Sequence, residues 1–213
     1  MIPKGALHLR HLNVSRNNLG DVVTAKLVDG LASVPLFRRT LKTLAADSNG
    51  AALATCASME AFLQDDHTLS SLSLAWNQIG SKGGTELLAN GIFENAALSV
   101  LNLAWNCLGS GGDFIALGEA ISRHKRLVHV NLAHNHISAE DIDVFANDME
   151  RNHTIMGIHL TGNRATVNRM GFIERAEEAP GLLFSKEEGG QASVHSAPSP
   201  RRRNKRETRP NRR

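Results

Sequence analysis

The sequence predicts an α/β solenoid of about six strand–turn–helix units, and three observations predict it. The stretch LSLAWNQIG at 72–80 returns as LNLAWNCLG at 101–109, 29 positions later, with tryptophan in the same slot. The wider template L-x-x-L-x-L-x-x-N-x-L recurs six times in phase, at intervals of 32, 28, 29, 29 and 28 residues. A fixed period of that size marks units that stack on one another. Aromatic residues make up only 4% of the chain and tyrosine is absent, so the interior must be filled by aliphatic side chains.

The units follow in order. The first places Leu9, Leu12, Val14, Asn17 and Leu19 on the template, and the second places Leu41, Leu44, Ala46, Asn49 and Ala51, with small residues where two large ones belong. The third carries Leu69, Leu72, Leu74, Asn77 and Ile79; the fourth carries Leu98, Leu101, Leu103, Asn106 and Leu108. Leu127, Val130, Leu132, Asn135 and Ile137 form the fifth, and Ile155, Ile158, Leu160, Asn163 and Ala165 the sixth. Each L-x-L segment alternates apolar and polar, which predicts a strand with one buried face. The asparagine falls where the chain leaves the strand. Its amide can donate to one backbone carbonyl and accept from another N–H, so Asn17, Asn49, Asn77, Asn106, Asn135 and Asn163 read as a structural ladder.

Helices complete the units. Thr85–Glu94 carries Leu87, Leu88 and Ile92, and Asp113–Arg123 carries Ile115, Leu117, Ala120 and Ile121. Gly83-Gly84 and Gly111-Gly112 suit the turns into them. Ser110-x-x-Asp113 and Ser138-x-x-Asp141 have capping-box spacing. Cys56 lies in the apolar helical run ALATCASMEAF and is expected in the core. No unit can bury its leucines alone, but the stack can.

Over residues 7–165 these motifs resemble the leucine-rich repeat family, in its long, ribonuclease-inhibitor-like class. The resemblance implies right-handed strand–turn–helix units with a curved parallel sheet on the concave face. It does not carry a function with it. Ribonuclease inhibitors are longer and rich in cysteine, whereas this chain has two. GTPase-activating proteins of the same repeat class carry more repeats and an acidic tail, and their functional Arg or Asn matches no position here. The organisation expected is a solenoid at 1–165 with a weak repeat at 41–68, a C-terminal cap at 166–184, and a disordered basic tail at 185–213. The longer first interval, with Pro35 inside it, predicts a bulging loop. No polar cap precedes the first repeat, so Leu9 to Val14 are expected to be covered by a partner, a dimer mate or further chain.

Reading slots across the units gives candidate binding residues. The slot before the asparagine holds Arg16, Ser48, Trp76, Trp105, His134 and Gly162. Equivalent positions in adjacent strands lie roughly 5 Å apart, so Trp76, Trp105 and His134 form a contiguous ladder on the strand-exit rim. Tryptophan is large, rigid and enriched in interface hot spots, and small neighbours at Ser71, Ser73, Ala75 and Ala104 leave room to reach it. The slot between the strand leucines adds Asn102, Asn131 and His159, and the slot before that adds His129. Together these seven are the expected protein-binding surface.

Other chemistry finds no pattern. His124, His129, His134 and His136 crowd into RHKRLVHVNLAHNH, but the repeat register scatters them and no regular ligand spacing accompanies them. No cofactor or metal is expected, and no nucleophile motif points to an enzyme. Two cysteines cannot form a disulfide framework, which fits an intracellular setting, cytoplasmic or nuclear. No apolar leader and no 18-residue apolar run is present, so no membrane span is expected. Residues 201–213 hold eight Lys/Arg and one Glu, leaving 16 basic and 20 acidic residues in 1–200. Arg201, Arg202, Arg203, Lys205 and Arg206 suit a nuclear localisation signal or an arm on nucleic acid or another acidic surface. The first functional expectation is therefore an intracellular protein-binding scaffold. The alternatives are a structural subunit of a ribonucleoprotein or cytoskeletal assembly held by the tail, and a GTPase regulator.

Overall fold

The computed structural model describes residues 9–34, 40–109, 113–168 and 173–175. The chain divides into two compact units, Met1–Glu177 and Glu178–Arg213, and the second lies wholly outside the described residues. The loop expected around Pro35, the Ser110 cap, residues 176–184 and the basic tail also fall outside them.

The repeat period becomes strand register. Six three-residue strands pair in parallel, in chain order: β1 (His11–Asn13), β2 (Thr43–Ala45), β3 (Ser71–Ser73), β4 (Val100–Asn102), β5 (His129–Asn131) and β6 (Gly157–His159). Leu12, Leu44, Leu72, Leu101, Val130 and Ile158 stand opposite one another along the sheet. Their flanking residues are half-buried or exposed, so one face of the sheet stays open.

Among the described residues, five α-helices return the chain between strands: α1 (Asp21–Ser33), α2 (Leu53–Asp65), α3 (Thr85–Glu94), α4 (Asp113–Arg123) and α5 (Ala139–Met149). Each packs on the next. The bounds of α3 and α4 are those the sequence predicts. The α/β solenoid read from the repeats is the fold observed.

The core is continuous and mainly aliphatic, but Phe62, Phe114 and Phe145 are buried in it as well. Even the weak second unit is fully seated, with Leu41, Leu44, Ala46 and Ala51 exposed by 2% or less. Ala46 belongs to the same core as Met59, Phe62 and Leu63 of α2. Cys56 is buried there too, as expected, and burial, reinforced by the charge of Asp21, pushes its thiol up to about 12. Leu9, Leu12 and Val14 in the first unit are only partly buried.

Helix starts are secured in two ways. Ser138 caps α5 by accepting from the Asp141 N–H at 3.1 Å, as its spacing predicts. Asp21, the first residue of α1, reaches across to α2 instead. Its carboxylate accepts from the N–H groups of Ala52, Ala54 and Thr55 at 2.7, 2.9 and 2.8 Å. Burial raises its pKa, but these bonds outweigh that and hold the carboxyl below its usual range. Between units, Gly80 tolerates no side chain, because a Cβ there would lie 2.1 Å from the Cys107 carbonyl oxygen.

Past the sixth strand the repeat pattern stops. Strands β7 (Ala165–Val167) and β8 (Ile173–Arg175) form an antiparallel pair, and β8 packs on α5. Arg175 bonds to the carboxylate of Asp143 on that helix.

Candidate functional site

The asparagine ladder fixes the turns that carry the site. Asn77 is representative. Its Nδ2 donates to Ala46 O in the preceding unit and to Leu74 O in its own, at 3.1 and 2.8 Å. Its Oδ1 accepts from the N–H groups of Asn49 and Ala51, also in the preceding unit, at 3.0 and 2.9 Å. Asn49, Asn106, Asn135 and Asn163 repeat the arrangement, each bonding backward into the unit before it. Asn17 donates only within its own turn, to Val14 O and Ser15 O.

These turns impose an unusual backbone on the slot before each asparagine. Arg16, Ser48, Trp76, Trp105, His134 and Gly162 have φ of 63°, 53°, 58°, 60°, 56° and 78°. For an L residue the left-handed conformation costs about 1–2 kcal/mol. Only Gly162 takes it freely. The shared conformation sends each Cα–Cβ bond the same way, and so the side chains line up.

The structure brings Trp76, Trp105 and His134 into one stack. The indoles lie parallel at 4.2 Å between centroids and 11° between planes. His134 continues at 4.0 Å and 14° on Trp105. A Cβ at Gly162 would meet the His134 ring at 2.2 Å, so the imidazole lies over the glycine and closes that end of the stack. The other end is open: Trp76 remains 55% exposed and Trp105 39%. Ring pairs of this kind contribute about 0.5–1.5 kcal/mol each, which offsets part of the backbone strain.

The remaining candidates divide. His129 is exposed on the open sheet face and lies over Gly157, where a Cβ would meet its ring at 2.4 Å. His159 is exposed in β6, in register with Asn131. Asn102 and Asn131 are half-buried and partly committed to their own turns. Their side-chain oxygens accept from the N–H groups of Ala104 and Ala133 at 3.2 and 3.0 Å, and Asn102 Nδ2 also donates to Ser73 Oγ at 3.1 Å. Arg201, Arg202, Arg203, Lys205 and Arg206 lie outside the described residues. Among the described residues, no cluster of three or more His, Cys, Asp or Glu is placed to hold a metal ion. Among them, too, no helix is long and apolar enough to cross a membrane.

A second polar ladder escaped the sequence reading. Asp66, Asn95, His124 and Asn152 sit where successive helices end. Each accepts from the N–H groups two and three residues ahead, as His124 Nδ1 does from Arg126 and Leu127 at 3.1 and 3.0 Å. The spacings of 29, 29 and 28 residues repeat the solenoid period, and that period was the signal that could have found them. His124 is buried and its Nε2 has no partner of normal hydrogen-bond geometry. Burial lowers its pKa, the backbone of Asn95 works the other way, and Arg126 lowers it further.

This geometry defines a leucine-rich repeat solenoid, and the comparisons agree. The family model described as Leucine Rich repeat matches residues 6–22 and 65–88. No curated protein matches the sequence. Among solved structures, Leiomodin-1 Actin-Binding Site 2 is similar at 16% identity and a TM-score of 0.53, covering 67% of this chain and 79% of that one. The tropomodulin C-terminal domain of Caenorhabditis elegans is similar at 13% identity and a TM-score of 0.53, covering 68% and 84%. The fold is thus that of a leucine-rich repeat solenoid, as the template implies, and the family model matches two stretches of it.

Proposed function

We propose that this chain is a non-catalytic, intracellular protein-interaction module that takes a protein partner on the open face of its sheet. Trp76, Trp105 and His134 form the centre of that surface. The single observation that carries the reading is the exposed aromatic stack held in a backbone conformation that disfavours it. A turn selected for stability alone is better served by glycine, as the sixth unit has. Exposed tryptophans on a rigid scaffold supply large contact area at small ordering cost. His129 and His159 extend the same face toward the sixth unit.

One neighbour in fold is named for an actin-binding site, so a cytoskeletal partner is the specific candidate and purified actin the first ligand. The test is capture of actin, and of proteins from native lysate with nuclease present, by wild type and by a Trp76→Gly/Trp105→Gly variant. Glycine suits the left-handed φ, so the variant should keep its circular dichroism. Loss of the captured partner in the variant is the expected result. Undiminished capture would move the partner to another surface, and recovery that collapses with nuclease would favour the tail.

A further inference from the structure

We propose that the position of Ser48 is a missing rung: a slot that receives one flat aromatic side chain from the protein partner, between Trp76 and Arg16. The proposal rests on the open-face reading above and names the chemistry of the contact.

The stack has one occupied end and one vacant end. At the occupied end His134 lies over Gly162. At the vacant end the next unit offers only the hydroxymethyl group of Ser48, and the unit beyond it Arg16. Trp76 is correspondingly the more exposed indole. From Trp76 to the Arg16 slot is two strand spacings, about 10 Å. A ring needs roughly 3.5 Å of separation on each face, so one ring fits and two do not. Its pitch would match the ladder, whose rings already follow one another at 4.2 and 4.0 Å.

Charge selects among flat guests. Arg16 is exposed and, among the described residues, makes no ion pair. A neutral ring on Trp76 gains a cation–π contact from such a guanidinium, whereas a guest guanidinium is repelled by it. The adjacent Asp47 keeps its charge, but its Oδ1 is engaged by Ser73 Oγ and the Ala75 N–H at 2.6 and 2.8 Å, and among the described residues it makes no ion pair with Arg16. A nucleobase would bring phosphates toward a body in which residues 1–200 carry 20 acidic and 16 basic residues. A Phe, Tyr or Trp side chain of a protein is the guest that fits.

The fold itself supplies the blocking variant. Ser48 has φ 53°, against 58° and 60° at Trp76 and Trp105, so Ser48→Trp places a tryptophan in a backbone that already accepts two. It fills the rung without breaking the turn. The chain has two tryptophans, so the wild type shows two indole N–H resonances that report on this site alone. N-acetyl-phenylalaninamide should shift the Trp76 resonance saturably, in the millimolar range, and the Trp105 resonance less. Ser48→Trp should weaken that binding at least tenfold, and Arg16→Ala about threefold. N-acetyl-argininamide and adenosine monophosphate should bind more weakly than the phenylalanine probe.

No shift of Trp76 overturns the proposal, as does equal binding by Ser48→Trp or tighter binding of either control. Partner capture separates this idea from the broader one. Capture lost in the double tryptophan variant but kept in Ser48→Trp would sink the rung and spare the open face. Capture kept in both would sink both, and capture lost in both supports both.

Discussion

Asn77 shows how much one side chain can do in a stack. It neutralises carbonyls and N–H groups belonging to two units at once, in a site only 7% exposed. Removing the amide strands buried backbone groups, at about 1–3 kcal/mol for each left unmade. Asn77→Ala should therefore lose on the order of 3 kcal/mol in chemical denaturation, while Asn17→Ala, exposed and bonded only within its own turn, should lose under about 1 kcal/mol. Equal losses would mean that the backward bonds between units contribute nothing. The asparagines and the Trp–Trp–His alignment were legible in the sequence because the template fixes which residues share a slot. The left-handed φ beneath that slot was not legible, since a repeat pattern encodes equivalence of position and not dihedral angle. Gly162 alone hinted at it. Nor did the pattern reveal that the oxygens of Asn102 and Asn131, read as binding residues, are turned to the N–H groups of Ala104 and Ala133.

At the scale of elements, the ends of the helices carry the information that residue types concealed. Asp66, Asn95, His124 and Asn152 are three different residue types that share only the ability to accept two backbone N–H bonds. A search by residue type passes over such a set, whereas strands and helices declared themselves through apolar period. Histidine is the odd member because its ordinary pKa lies near neutral pH. Its folded pKa is lowered, by burial first, so between the unfolded value near about 6.5 and the lowered one the unfolded chain binds the more protons. Stability is then fully present above that unfolded value and falls as pH drops through the window down to the folded pKa. His124→Asn installs the residue that neighbouring units already use. It should fold, keep the two accepted bonds, and flatten the stability profile just below about pH 6.5. Thermal melts of both proteins across that range decide the matter. Parallel profiles would show that His124 is not the group responsible.

At the scale of the whole molecule, charge is divided more sharply than the net value of +3 suggests. Residues 201–213 hold eight of the 24 basic residues against one acidic residue, and without them the chain turns net negative. A cluster of that density binds polyanions by releasing counterions, with a salt slope of about −0.7 per neutralised phosphate on a single strand. Full engagement of the eight therefore sets an upper bound near −6 on the log–log slope. Because solenoid units contact only their neighbours along the stack, removing residues 201–213 should leave thermal stability and open-face capture unchanged. Binding of a homopolymeric single-stranded RNA should disappear with them, as measured by fluorescence anisotropy over a salt series. If RNA binding survives the deletion with its slope intact, the polyanion site lies on the solenoid, and the acidic-body argument that excludes a nucleobase from the Ser48 slot fails with it. If instead RNA binding is lost and partner capture persists, the two activities are separable, and the aromatic ladder and the arginine cluster serve different partners.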